Sequence, residues 1–171
     1  MALLEVDNLT VEYVTVGVRN LAVNNFSFSC EAGEVVGIVG ESGSGKSTAI
    51  LGVLGLTRAS ANITAGDVRL NGRELLVLSD SEWESVRGVQ IALITQNPRG
   101  ALNPVLRVGK QITTVYKAHN PGVSDDDAKA RAQELLEIVG INDPARRLDA
   151  FPHELSGGMA QRVLIAMSLS C

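Results

Sequence analysis

Cysteine is nearly absent: Cys30 and Cys171 stand far apart, with no C-x-x-C spacing and no companion histidine cluster. That composition reads as a reduced, cytoplasmic protein without structural zinc. An excess of basic charge is missing too. Fifteen Lys and Arg against nineteen Asp and Glu leave a net charge of −4, which argues against general nucleic-acid binding, since that wants a basic face. Long apolar runs are lacking. The longest uncharged apolar stretch near the middle, Thr48 to Thr57, is about half the roughly 20 residues a membrane helix requires. The opening M-A-L-L-E-V-D carries acids where a signal peptide needs basic residues and then an apolar run. Nothing here is expected to span a bilayer, so a membrane role would need another chain to do the spanning. Internal repeats and low-complexity linkers are absent as well. What remains is an ordinary globular balance, 45% apolar and 20% charged over 171 residues. That is long enough for one domain with a real core and short for two.

Periodicity then orders the chain. Residues 3–16 read as a strand, with Leu9, Val11 and Tyr13 on one face and Thr10 and Glu12 on the other. Leu21 to Ser29 alternates again. Val35-Val36-Gly37-Ile38-Val39 is a continuous apolar run of the kind found in buried parallel strands. A glycine-rich loop and a helix from Lys46 to about Leu54 follow. Asp67 to Leu70 reads as a short strand closed by Asn71-Gly72, a hairpin pair. Ser79 reads as the N-cap of a helix through Arg87. Ile91 to Thr95 is strand-like until Gln96-Asn97-Pro98 breaks it. Ser124 to Val139 is the best helix, with acids in its first turn, Gly140 at its stop, and an apolar stripe of Ala128, Ala132, Leu135 and Val139. A last helix from about Met159 is apolar nearly all round and expects burial. The pattern is an α/β layout with a helical insertion.

Gly40-Glu41-Ser42-Gly43-Ser44-Gly45-Lys46-Ser47 fits G-x-x-x-x-G-K-[ST] in full, between an apolar run and a helix. Each part answers a triphosphate. Backbone N–H groups and a helix N-terminus meet dense negative charge, and glycines allow positive φ and close approach. Lys46 reaches the β- and γ-phosphates, and the Ser47 hydroxyl suits Mg2+. Gly40, Ser42, Gly43, Ser44, Gly45, Lys46, Ser47 and Thr48 are therefore the candidate nucleotide-binding residues. Far downstream, Leu155-Ser156-Gly157-Gly158-Met159 places a second anion-ready helix start in the same chain. A single nucleotide does not need two.

These motifs together resemble the ABC ATPase family, whose signature is L-S-G-G-x, and the resemblance runs over essentially the whole chain. It implies a P-loop NTPase core with an N-terminal antiparallel β subdomain and a helical signature subdomain. On that reading, residues 1–96 hold the β subdomain and P-loop core, and 97–171 the helical subdomain. It implies that two nucleotide domains pair head to tail, so that Ser156, Gly157 and Gly158 hold the γ-phosphate of the partner's ATP. It implies that Gln96, in Thr95-Gln96-Asn97-Pro98, sits near Mg2+ and the attacking water and couples the site to a membrane subunit. Tyr13 occupies the place of the aromatic that stacks on adenine, with Val23 lining the same pocket. Lys46 and Gln96 are the catalytic candidates, Ser47 and Gln96 the metal candidates.

The phrases I-T-Q-N-P-R-G-A-L-N-P and F-P-H-E-L-S-G-G-M-A-Q-R-V-L-I-A-M look like the branch that energises dipeptide, oligopeptide and nickel uptake. Thr95 replaces a common phenylalanine there, and Ala160 a common basic residue. The implied partners are transmembrane permease subunits, a second ATP-binding subunit and, indirectly, a solute-binding protein, with no nucleic acid. The implied location is the cytoplasmic face of the membrane, peripherally. Pro98 to about Gly122, with Leu102, Val105, Leu106, Val108 and Tyr116, is expected to dock a membrane subunit. Other readings of the loop are a soluble ABC ATPase, a P-loop kinase or GTPase (no N-K-x-D motif is present), and a non-catalytic nucleotide-binding fragment. The chain stops where the family continues into the Mg2+ aspartate, the catalytic glutamate and the switch histidine; His119 and His153 lie too early to be that switch. The expectation is a fragment, its core incomplete at the C-terminal side, that binds nucleotide without turning it over.

Overall fold

The computed structural model describes residues 2–15, 17–57 and 60–171. Two compact units form, Met1–Glu84 and Ser85–Cys171; the division falls ahead of Gln96, the boundary read from the sequence. In the first unit, β1 (Leu4–Thr15) and β2 (Val18–Cys30) pair antiparallel, and β3 (Ala61–Leu70) takes the other edge of β1. β4 (Arg73–Glu74) completes a sheet of order β2-β1-β3-β4. Asn71 and Gly72 join the last two strands with φ of 51° and 76°, the paired positive angles a two-residue hairpin turn requires. β1 is the strand read over residues 3–16; Val16 lies outside the described residues. Leu9 and Val11 of β1 are wholly buried under α1 (Lys46–Val53). The helix can lie close because Gly52 faces the strand: a Cβ there would meet Leu9 Cδ2 at 3.3 Å and Val11 Cγ2 at 3.4 Å. α2 (Asp80–Val86) starts at Ser79, whose N–H and hydroxyl both donate to Glu82, at 2.9 and 2.8 Å, half of a capping box.

Two expected strands do not form. Val35–Val39 joins no ladder, and Val35 and Val39 are 95% and 92% exposed. Ile91–Thr95 contributes only an isolated bridge, Ile91 to Arg87, and leaves Leu93 and Ile94 exposed. The cause is non-local. A parallel strand needs neighbours on its edges and layers on both faces, and among the described residues no strand pairs with either run. The sheet observed is wholly antiparallel.

The second unit is helical: α3 (Pro98–Ala101), α4 (Val108–His119), α5 (Asp125–Ile138), α6 (Pro144–Leu148), a 3-10 turn at Pro152–Glu154, and α7 (Gly157–Ser168). Its core interleaves Val108 and Ile112 of α4, Ala132, Leu135 and Leu136 of α5, and Ala160, Val163 and Leu164 of α7. Lys117 of α4 donates to Asp125 at 2.7 Å and holds that carboxyl below its ordinary value. This contribution is present above the ordinary carboxylate pKa and is lost as pH falls through the lowered value. Arg162 of α7 donates to the carbonyl of Gly140, at the stop of α5, at 2.5 Å.

The expected docking surface is corrected in part. Leu102 and Val108 are 2% and 0% exposed and belong to the core, because Val108 and Ile112 repeat at helical spacing on one face of α4. Gln111, itself buried, accepts from Asn103 N (2.8 Å) and donates to Asn103 O (3.0 Å) and Leu106 O (2.9 Å). The clamped turn leaves Val105 75% exposed.

Ser124 caps α5 by accepting from Asp127 N at 3.1 Å and donating to its carboxylate at 2.7 Å. Ser124→Ala is therefore expected to lower stability by about 0.5–2 kcal/mol, measured as a shifted urea midpoint. An unchanged midpoint would mean that water replaces this cap at no cost.

Candidate functional site

The Gly40–Ser47 loop owes its shape to two left-handed glycines. Gly43 and Gly45 have φ of 85° and 89°, and Gly45 is the N-cap of α1. Ser44 N closes on Glu41 O at 3.2 Å, and Ala49 N continues into the helix by donating to Gly45 O at 2.8 Å. The loop curls around its own lysine. Lys46 Nζ donates to Gly40 O at 2.7 Å, Glu41 O at 2.6 Å and Ser44 Oγ at 3.2 Å. An ammonium has three donors, and all three go to neutral oxygens. An anionic oxygen would make a shorter and stronger bond, so a phosphate competes well for this group. Gly45 is closed to a side chain by main chain, since a Cβ there would fall on the Ala22 carbonyl oxygen of β2, whereas one on Gly40 would meet only Ser44 Oγ, at 2.8 Å, a side-chain atom that can turn away.

Beside the loop lies a cleft of about 470 Å³, walled by β2 residues Leu21 to Asn24 and Phe26, by Ile38 and Val39, and by Gly40, Ser44, Gly45, Lys46 and Ala49. Val23 lines it and is 8% exposed. Tyr13 is half-buried on β1, its hydroxyl 3.4 Å from Thr48 Oγ1 of α1, and is not part of the cleft wall. Ser42 and Ser47 are exposed, Ser47 in the first turn of α1. Mg2+ keeps several waters and takes few protein oxygens when phosphates supply the rest, so one free hydroxyl at this place fits it. The backbone cradle around Lys46 likewise fits a polyphosphate.

In the helical unit, Ser156 caps α7 by accepting from Met159 N at 3.2 Å. The earlier N–H groups of a helix have no intrahelical acceptor, so those of Gly157 and Gly158 point outward. Both glycines are exposed, and a Cβ on either would meet nothing within 4 Å. The packing of this chain therefore does not require glycine there. Gln96 is exposed in the bend just before α3. Asn97 caps that helix by accepting from Gly100 N at 3.1 Å. Among the described residues no group of three His, Cys, Asp or Glu is placed to hold a metal ion, and no helix is long and apolar enough to cross a membrane.

A sequence profile of the ABC transporter family matches residues 23–171, which include both the phosphate loop and Leu155–Met159. The chain belongs to that family. It is 46% identical over 171 residues to the dipeptide transport ATP-binding protein DppD of Escherichia coli K12, covering all of this chain and 52% of that protein. It is 49% identical over 168 residues to the oligopeptide transport ATP-binding protein OppD of Mycobacterium tuberculosis, covering 98% of this chain and 27% of that protein. The chain thus spans about half the length of the first of these relatives and less of the second. The fold agrees with that of the ATP-binding cassette MJ0796, solved as a dimer in a post-hydrolysis state with ADP and Pi. The TM-score is 0.83 at 28% identity, over 98% of this chain and 69% of that one. The cassette fold thus positions the loop at the start of α1 and the signature at the start of α7.

Two residues beside the loop and its cleft carry no motif. Ala22 contributes only a carbonyl, visible once β2 lies under Gly45. Phe26, on the cleft wall and tilted against Phe28 at 5.4 Å, follows the alternation of β2 but resembles any core aromatic. The pair Tyr13 and Phe26 makes the base contact testable. Tyr13→Phe is expected to bind ATP nearly as the parent does, and Tyr13→Ala to lose about 1–3 kcal/mol, the worth of a stacked base. Calorimetry that finds no loss in Tyr13→Ala but a loss in Phe26→Ala would move the base contact into the cleft.

Proposed function

We propose that this chain is part of the ATP-binding subunit of an ABC importer, driving uptake of peptides or a related small solute. One observation carries the reading: a single chain holds two helix starts suited to an anion, after the Gly40–Ser47 loop and at the start of α7, and a Cβ on either glycine of the second would meet open space. A second copy or a related subunit gives that space an occupant. Ser156, Gly157 and Gly158 then hold the γ-phosphate of ATP bound on the partner's loop. The loop binds Mg-ATP through Lys46 and backbone N–H groups, and the Ser47 hydroxyl ligates the ion. Gln96, at the bend ahead of α3, ties the nucleotide state to a transmembrane permease, with the Val105–Leu106 turn as the exposed part of the docking face. The subunit works peripherally at the cytoplasmic side of the membrane. The names of DppD and OppD support the peptide class of cargo.

Gly157→Asp is the direct test, since a carboxylate at that helix start repels a phosphate. ATP-dependent pairing of the subunits is expected to fall about 100-fold or more, while ATP affinity of the single subunit stays within about twofold. Sedimentation with and without Mg-ATP reads the first quantity and fluorescent ATP the second. Undiminished pairing would remove the signature from the phosphate site.

A further inference from the structure

We propose that Arg99 is a positioning residue for the signature turn, joining the segment that carries Gln96 to the start of α7. This rests on the reading of Ser156, Gly157 and Gly158 given above. The path is continuous. Thr95 Oγ1 donates to the Asn97 carbonyl at 3.3 Å, and Asn97 caps α3 through Gly100 N at 3.1 Å. From the first turn of α3, the guanidinium Nη2 of Arg99 donates to the carbonyl of Leu155 at 2.8 Å, across 56 positions of sequence. α3 itself packs against α7.

The carbonyl that Arg99 holds belongs to the peptide joining Leu155 to Ser156. In a trans peptide the C=O and N–H lie in one plane and point in opposite directions. Fixing Leu155 O therefore fixes the direction of Ser156 N–H and the angle at which the chain turns into α7. Other restraints meet at the same turn. Leu155 is 2% exposed, Leu155 N donates to Pro152 O at 3.2 Å, and Glu154 accepts from Phe151 N at 2.6 Å. Arg99 adds a tie from outside this local turn, at its Leu155 end, while Arg107 lies over Phe151 at the other end. It also places a fixed cation one peptide from a helix start that receives an anion. A hydrogen bond from a charged donor is worth more than a neutral one, and a guanidinium is pre-organised for it as a lysine ammonium is not. Any displacement at Gln96 thus reaches the signature through a short, polar, directional connection.

The experiment uses the full-length subunit and three readouts: ATP affinity of the single subunit, ATP-driven pairing by sedimentation, and melting temperature. Arg99→Met is expected to pair about tenfold more weakly, with single-subunit affinity within about twofold, a loss in line with one charge-assisted hydrogen bond. Arg99→Lys is expected to recover pairing to within about threefold. Arg162→Met removes a comparable bond, from α7 to Gly140; it is expected to lower the melting temperature yet pair within about twofold. Arg99→Gln runs beside Arg99→Met and is judged by the same outcomes should the methionine variant be insoluble. Normal pairing in Arg99→Met and Arg99→Gln overturns the proposal. So does a loss of pairing that, in the Arg99 and Arg162 variants alike, merely follows the loss of melting temperature. Gly157→Asp separates the two levels: if it pairs normally, the signature reading fails and this proposal with it, whereas if it alone abolishes pairing, only the role of Arg99 falls.

Discussion

Lys46→Ala is expected to bind Mg-ATP about 30- to 5,000-fold more weakly than the parent. The range corresponds to roughly 2–5 kcal/mol, the usual consequence of truncating one partner of a desolvated charge pair. Two effects of the substitution oppose each other, and their sizes decide the outcome. In the free protein Lys46 ties together Gly40 O, Glu41 O and Ser44 Oγ, so its removal loosens the loop. Those bonds have a charged donor but are exposed, and water screening leaves each worth about 1 kcal/mol net. Against a triphosphate the same ammonium faces formal negative charge, with helix-start N–H groups beside it. The second term is the larger. Stability should therefore fall by little and affinity by much. Lys46→Met, which keeps the stem and loses the donors, should match alanine in affinity. Calorimetric titration of the three proteins at one ionic strength decides it; equal affinities would remove the loop from the nucleotide site.

What the sequence made legible divides by range. The loop could be read because glycine at Gly43 and Gly45 answers a local backbone demand, and the positive φ angles are there. The Asn71-Gly72 hairpin and the helix beginning at Ser124 are local in the same sense, and both formed as read. Val35–Val39 shows the limit. Five apolar residues in a row say that a segment wants cover, but not that a neighbour is at hand to give it, and Val39 stays 92% exposed. Leu102 and Val108 failed for the converse reason. Polar neighbours such as Arg107 and Lys110 disguised a core face that the Val108–Ile112 spacing had marked. The bond from Arg99 to Leu155 joins residues 56 apart through a backbone carbonyl, and a carbonyl carries no sequence identity at all.

Gly45→Ala is expected to be the most damaging methyl group that can be added to the loop, and Gly43→Ala shows why by contrast. Both residues lie at nearly the same positive φ, 89° and 85°, so each alanine pays a similar backbone strain of about 1–2 kcal/mol. Their surroundings differ. A Cβ at Gly43 meets nothing within 4 Å, whereas one at Gly45 falls 2.3 Å from the Ala22 carbonyl oxygen. That oxygen is main chain, at a bulge of β2 whose flanking residues Leu21 and Val23 pair with Glu12 and Val11 of β1, so it cannot swing aside as a side chain would. The helix start must move instead, and with it Lys46 and Ser47. Gly43→Ala should therefore lose about 1–2 kcal/mol of stability and no more than about tenfold in ATP affinity. Gly45→Ala should lose about 3 kcal/mol or more, with affinity down about 100-fold, because displacement of the donors adds to strain of the 1–3 kcal/mol class. Urea unfolding and calorimetry on the pair separate the terms. Equal losses in both variants would show that backbone strain alone governs the loop and that β2 does not hold it in place.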